Sequence, residues 1–99
     1  MSYLLSMASI VNEEYTKLRS LGNDHFVKGE FAVAETIYSD ILLKFDKDLA
    51  IIYTNRSAAR LSLGKVDDAL EDAQKAIDID RKWIKAYYRK ASALEILKR

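Results

Sequence analysis

Ninety-nine residues make one domain at most, with a modest core, so every apolar face left uncovered matters. The chain is 49% hydrophobic and 31% charged, ordinary for a soluble globular protein, and its net charge of +1 is not the footprint of a nucleic-acid binder. It has no cysteine, which excludes disulfides and thiolate metal sites. The charge is nevertheless uneven. Residues 81–99 hold seven basic side chains against one acidic, a local +6, whereas residues 1–80 hold nine against fourteen, a local −5. A basic end of this kind points to an acidic partner.

The opening MSYLLSMASIV is apolar but lacks the basic flank of a secretion signal, and no stretch reaches the roughly 18–20 apolar residues of a membrane span. Residues 1–12 are expected to be a helix extension, a docking segment or residues foreign to the domain. The default location is cytoplasmic, and no membrane partner is expected. Asn12, followed by Glu13 and Glu14, suits a helix N-terminus, where a side-chain oxygen caps free amides and acids complement the dipole. Tyr15, Leu18, Leu21 and His25–Phe26 then recur at three and four residues, the helical period. The same spacing continues, and the patterns predict helices near 12–28, 31–45, 48–63, 66–79 and 82–97. Proline is absent, Gly22, Gly29 and Gly64 alone interrupt the pattern, and strand alternation is missing. The connections are short, so neighbouring helices should run antiparallel in an all-α chain.

Two segments repeat. L-G-N at 21–23 and K-G-E-F at 28–31 precede Ala34, Tyr38 and Ile41; L-G-K-V at 63–66 precedes Ala69, Ala73 and Ala76. Gly29 to Gly64 spans 35 residues and Tyr53 to Tyr87 spans 34. Small residues at Gly22, Ala34, Ser57, Ala69 and Ala91 fall where paired helices approach, and Leu18, Phe31, Tyr38, Tyr53 and Tyr87 are expected to fill the gaps. In these features the chain resembles the tetratricopeptide repeat. The resemblance implies a right-handed superhelix of antiparallel helix pairs, about two and a half repeats over residues 13–99. Repeat one covers about 15–48, repeat two about 50–83, and the first helix of a third about 84–99.

The chain departs from the repeat pattern at four places. Asp46 and Arg81 stand where proline usually follows the second helix, and His25 and Arg60 stand where an aromatic ring is commoner. Slightly irregular turns and local repacking should follow. The last helix carries Trp83, Ile84, Tyr87, Tyr88 and Leu94, an apolar face that needs a cover or supports self-association.

In such a superhelix the first helix of each pair lines the concave wall. Arg19 and Asn23 lie four apart on one helix, Asn55 on the next, and Lys85 and Arg89 four apart on the last. Three cations and two amides on one groove suit closely spaced carboxylates. The set resembles the dicarboxylate clamp of co-chaperones that hold the Glu-Glu-Val-Asp tails of heat-shock protein 70 or heat-shock protein 90 class chaperones. By that resemblance Arg19, Asn23 and Asn55 would bind the terminal carboxylate, and Lys85 and Arg89 the acidic side chains of the tail. Arg19 replaces the usual lysine, keeping the charge with a larger planar group. Phe26, Ala58, Leu61 and Ser62 would line a pocket for the aliphatic residue before the final Asp, and Glu95 and Ile96 would meet residues upstream.

Plainer readings compete. Asn23 and Asn55 can support helix packing, and a lone basic pair such as Lys85–Arg89 usually solvates a surface. His25, the one histidine, lacks a partner at metal spacing and reads as a partly buried core residue. Tyr87 and Tyr88 beside Lys85 and Arg89 could form a base-stacking platform, but Tyr87 is expected at a core position and the rest of the chain is acidic. Asp67–Asp68 and Glu71–Asp72 read as a solvated helix start. There is no phosphate loop, nucleophile–base pair or metal motif, so the residues point to no enzyme, no metal and no cofactor. The alternative to a tail-binding adaptor is a repeat scaffold that binds an internal segment of another protein or associates with itself.

Overall fold

The computed structural model describes residues 2–98; Met1 and Arg99, the ends of the expected segments, lie outside them. Five helices follow one another: α1 (Ser2–Val27), α2 (Phe31–Lys44), α3 (Leu49–Ser62), α4 (Val66–Ile79) and α5 (Ile84–Leu97). Each packs on the next in the chain, and α3 also packs on α5. This is the expected all-α array of antiparallel helix pairs. No helix among the described residues is long and apolar enough to cross a membrane.

The two hairpins α1–α2 and α3–α4 turn in the same way. Gly29 has φ +81° and Gly64 φ +79°, a left-handed conformation that a β-carbon disfavours. In each hairpin an amide just past the glycine closes back on the helix: Glu30 N donates to His25 O over 2.9 Å, and Lys65 N to Arg60 O over 2.8 Å. These six-residue closures are the usual way a helix ends on glycine. The turns without proline differ from each other. Asp48 adopts a left-handed φ of 49° before α3, whereas the α4–α5 turn is held by Lys82 N donating to the Asp80 carboxylate.

Small side chains let the helices approach. Ala34, Ala59, Ala69, Ala73 and Ala76 are fully buried, and the buried Ser57 hydroxyl donates to the Ala69 carbonyl of α4. Tyr38 and Ile41 of α2 and Ile52 of α3 are the largest apolar side chains fully enclosed. Tyr15 joins them from α1, with Phe45 edge-on to its ring.

Four expectations need correction. The first helix does not begin at Asn12: α1 runs from Ser2, and Met7 and Val11, each nearly half exposed, line one concavity with Tyr15 and Phe45. Asn12 Oδ1 accepts from Lys47 Nζ rather than capping a helix. Tyr87 and Ala91 are exposed, since among the described residues no helix packs on that side of α5. Asp72 is not part of a solvated helix start. It is 1% exposed and anchors a network of ion pairs. Arg56 grips both Asp72 oxygens at 2.8 Å, and Arg60 bridges Asp72 at 2.9 Å to Glu35 at 2.8 Å. Lys65 reaches the other Glu35 oxygen. Arg60, where a ring is commoner, thus ties α2, α3 and α4 together through charge.

Candidate peptide-binding groove

Alternate helices put their side chains on one wall. A concavity of about 270 Å³ is lined by Arg19, Asn23, Phe26 and Val27 of α1, Ile51, Asn55 and Ala58 of α3, and Lys85 and Arg89 of α5. Tyr38 of α2 and Trp83, just before α5, complete it. The five residues singled out as a carboxylate receptor therefore share one space, together with Phe26 and Ala58. Leu61, Ser62, Glu95 and Ile96 do not line it. The Ser62 hydroxyl is turned back to the Ala58 carbonyl, and Glu95 and Ile96 are exposed on the last turns of α5.

Val27, Tyr38, Ile51 and Trp83 are groove residues that the sequence patterns do not pick out. Tyr38 reads as packing in the sequence because it lies on a second helix; its hydroxyl reaches Asn23 of α1. Trp83 carries a clearer signal, standing two residues before Lys85. Its indole N–H donates to the Thr54 hydroxyl over 3.1 Å, which fixes the ring at the groove edge.

The lining contains three cations and no carboxylate. The anion nearest to Arg19 is Asp48, whose Oδ2 lies 3.7 Å from Arg19 Nη1 and also accepts the Tyr15 hydroxyl at 3.0 Å. Both partners are about one-third exposed, so this loose pair contributes little, under about 1 kcal/mol. Arg89 stacks over the Tyr88 ring at 5.3 Å, and its buried Nε has no acceptor among the described residues. Lys85 Nζ lies 5.8 Å from the Trp83 ring. Asn23 and Asn55 meet across α1 and α3, with Asn55 Nδ2 at 3.4 Å from Asn23 Oδ1. Asn23 Oδ1 also accepts the Tyr38 hydroxyl at 2.6 Å. The arrangement can donate several charge-assisted hydrogen bonds to an anionic ligand.

No family model matches the chain. Its structure superposes on the TPR domain of Arabidopsis OM64 with a TM-score of 0.81 and 32% identity, covering 88% of this chain and 71% of that one. The chain belongs to the tetratricopeptide repeat family. Another solved TPR domain, the first of Spaghetti (RPAP3), bound to the HSP90 peptide SRMEEVD, matches with a TM-score of 0.81 and 28% identity over 87% of this chain and 69% of that one. Among curated proteins, the Hsp70-Hsp90 organising protein of Plasmodium falciparum is 40% identical over 81 residues, 82% of this chain and 32% of that protein. This TPR chain spans about a third or less of the length of the curated relatives it matches.

Proposed function

We propose that this TPR chain is an adaptor that holds the acidic C-terminal tail of a heat-shock protein 70 or 90 class chaperone in the cytoplasm. The observation that carries the reading is the groove itself: Arg19, Asn23, Asn55, Lys85 and Arg89, from three helices, line one concavity that no carboxylate lines. In this reading Arg19, Asn23 and Asn55 hold the terminal carboxylate, and Lys85 and Arg89 take the acidic side chains. Phe26 and Ala58 meet the aliphatic residue between them. Leu61, Ser62, Glu95 and Ile96, which lie outside the concavity, would contact the tail only beyond that core set. The likeness to a TPR domain bound to SRMEEVD supports the choice of ligand.

The energetics are consistent with a reversible tether. Charge-assisted hydrogen bonds contribute roughly 1.5–3 kcal/mol each, and ordering a flexible tail costs several kcal/mol in return. The balance is about −8 kcal/mol, a micromolar affinity. Calorimetric titration of Met-Glu-Glu-Val-Asp into the wild-type chain and an Arg89→Ala variant tests the assignment. The expected result is micromolar binding that weakens at least about tenfold in the variant. Equal binding by both would remove the groove from the account.

A second reading, self-association, rests on α5, where Ile84, Tyr87 and Tyr88 are exposed. Sedimentation at micromolar concentration separates the two, since a strict monomer contradicts self-association and leaves tail binding untouched.

A further inference from the structure

A side-chain amide presents two opposite faces to an anion: its NH2 group attracts a carboxylate and its oxygen repels one. Whether Asn23 helps or hinders a carboxylate in the groove therefore depends on what holds its oxygen. Two donors do. The Tyr38 hydroxyl reaches Asn23 Oδ1 at 2.6 Å, and Asn55 Nδ2 approaches the same atom at 3.4 Å. Turning the Asn23 amide over would set its NH2 group against the Asn55 NH2 group and deprive the buried Tyr38 O–H of its acceptor.

We propose that Tyr38 is a positioning residue of the groove, locking the Asn23 amide so that its NH2 group is presented to the ligand carboxylate. The inference rests on the carboxylate-binding reading above and deepens it. Tyr38 is well placed for the task because it is tightly packed. It is 1% exposed, and its ring closes on the backbone of α1, where a β-carbon at Gly22 would lie 2.7 Å from Tyr38 Cε1. The bare Gly22 thus lets the ring reach under α1 and bring its hydroxyl to the very next residue. Burial pushes the Tyr38 hydroxyl up to about 12, so it remains a donor throughout the neutral range. Asn55 alone, at 3.4 Å, is a weaker restraint and sits on the groove wall where the ligand competes for it.

The test is a double-mutant cycle on the whole chain, with Tyr38→Phe, Asn23→Ala and the double variant titrated with Met-Glu-Glu-Val-Asp up to millimolar peptide. Tyr38→Phe keeps the ring and should keep the helical circular dichroism, yet bind the peptide about fivefold to tenfold more weakly. In the Asn23→Ala background the same change should cost nothing further, because the amide it orients is gone. A merely structural tyrosine would lose the same factor in both backgrounds, and that result overturns the proposal, as does undiminished binding by Tyr38→Phe. The Asn23 side-chain NH2 resonances add an independent readout. They should move on peptide addition in the wild type and move much less in Tyr38→Phe; equal shifts in both contradict the positioning role. A wild-type chain that ignores the peptide, or an Arg89→Ala variant that binds it fully, sinks the carboxylate reading itself and this inference with it.

Discussion

Asp72 shows what a single residue contributes beyond its place in a pattern. It sits among the apolar groups of α4 at 1% exposure, a costly position for a carboxylate unless it is paired and hydrogen-bonded. Two arginines meet that condition, and they in turn depend on it: Arg56 and Arg60 are 14% and 20% exposed. Asp72→Ala would leave both cations partly buried beside an empty site, a loss of about 3 kcal/mol or more in urea denaturation. A loss below about 1 kcal/mol would mean that the network is ornamental. Glu35, at the other end, links the same network to pH. Burial alone would raise its carboxyl, but the hydrogen bonds and charges of Lys65 and Arg60 outweigh it and hold the group below its ordinary value of 4.5. Its contribution to stability is therefore present above that ordinary value and lost as pH falls through the lower, folded one. The stability gap between wild type and Glu35→Gln should be open at neutral pH and close in acid; a constant gap would contradict the linkage. None of this was legible in the sequence. Asp72 follows Glu71 in an acidic run that reads as solvated, and only the approach of α2 and α3 brings its arginines to it.

At the scale of the helices, two glycines that look alike in the sequence have different tasks. Gly29 has open space around its α-carbon but a left-handed φ, so Gly29→Ala costs roughly 1–2 kcal/mol of strain and should leave the groove intact. Gly22 is inside α1, where alanine would be the better helix former by about 1 kcal/mol. Its β-carbon would nonetheless press on Tyr38 and on Ile37 at 3.2 Å, and overpacking of this kind costs about 1–3 kcal/mol. Gly22→Ala is expected to lower the melting temperature and also to weaken peptide binding, since the displaced ring carries the Asn23 restraint. Unchanged peptide affinity in a folded Gly22→Ala chain would separate the ring from the groove. The helices themselves were readable from three- and four-residue spacing, and Gly29 and Gly64 marked two turns at the correct places. The start of α1 was not, because Asn12-Glu13-Glu14 carries the chemistry of a cap while the apolar stripe through Met7 and Val11 runs straight past it. Tyr87 failed for a related reason: a core position in the repeat is buried only when a further helix packs against it.

For the whole molecule, the repeat period decides which helices stand side by side. Arg19–Asn23, Asn55 and Lys85–Arg89 are scattered over seventy residues of sequence, yet a stack of antiparallel pairs sets α1, α3 and α5 along one wall. The i, i+4 spacing and the repeat together made that convergence legible. The groove edge at Trp83 and the support from Tyr38 required the packed structure. The groove is open and its cations are partly exposed, so their attraction for an acidic tail is screened by salt over roughly 10 Å at 0.1 M. Peptide affinity should therefore fall steadily as sodium chloride is raised, and a salt-insensitive affinity would argue for apolar docking instead. The proposed function makes a narrower demand: the groove should recognise a free terminal carboxylate. Trp83, the one tryptophan of the chain, lines the groove and is placed to report occupancy. The decisive measurement is a fluorescence titration with Met-Glu-Glu-Val-Asp as the free acid and as its C-terminal amide. Micromolar binding of the acid with little or none of the amide is the predicted result, and equal binding of both would contradict it in favour of an internal segment as the ligand.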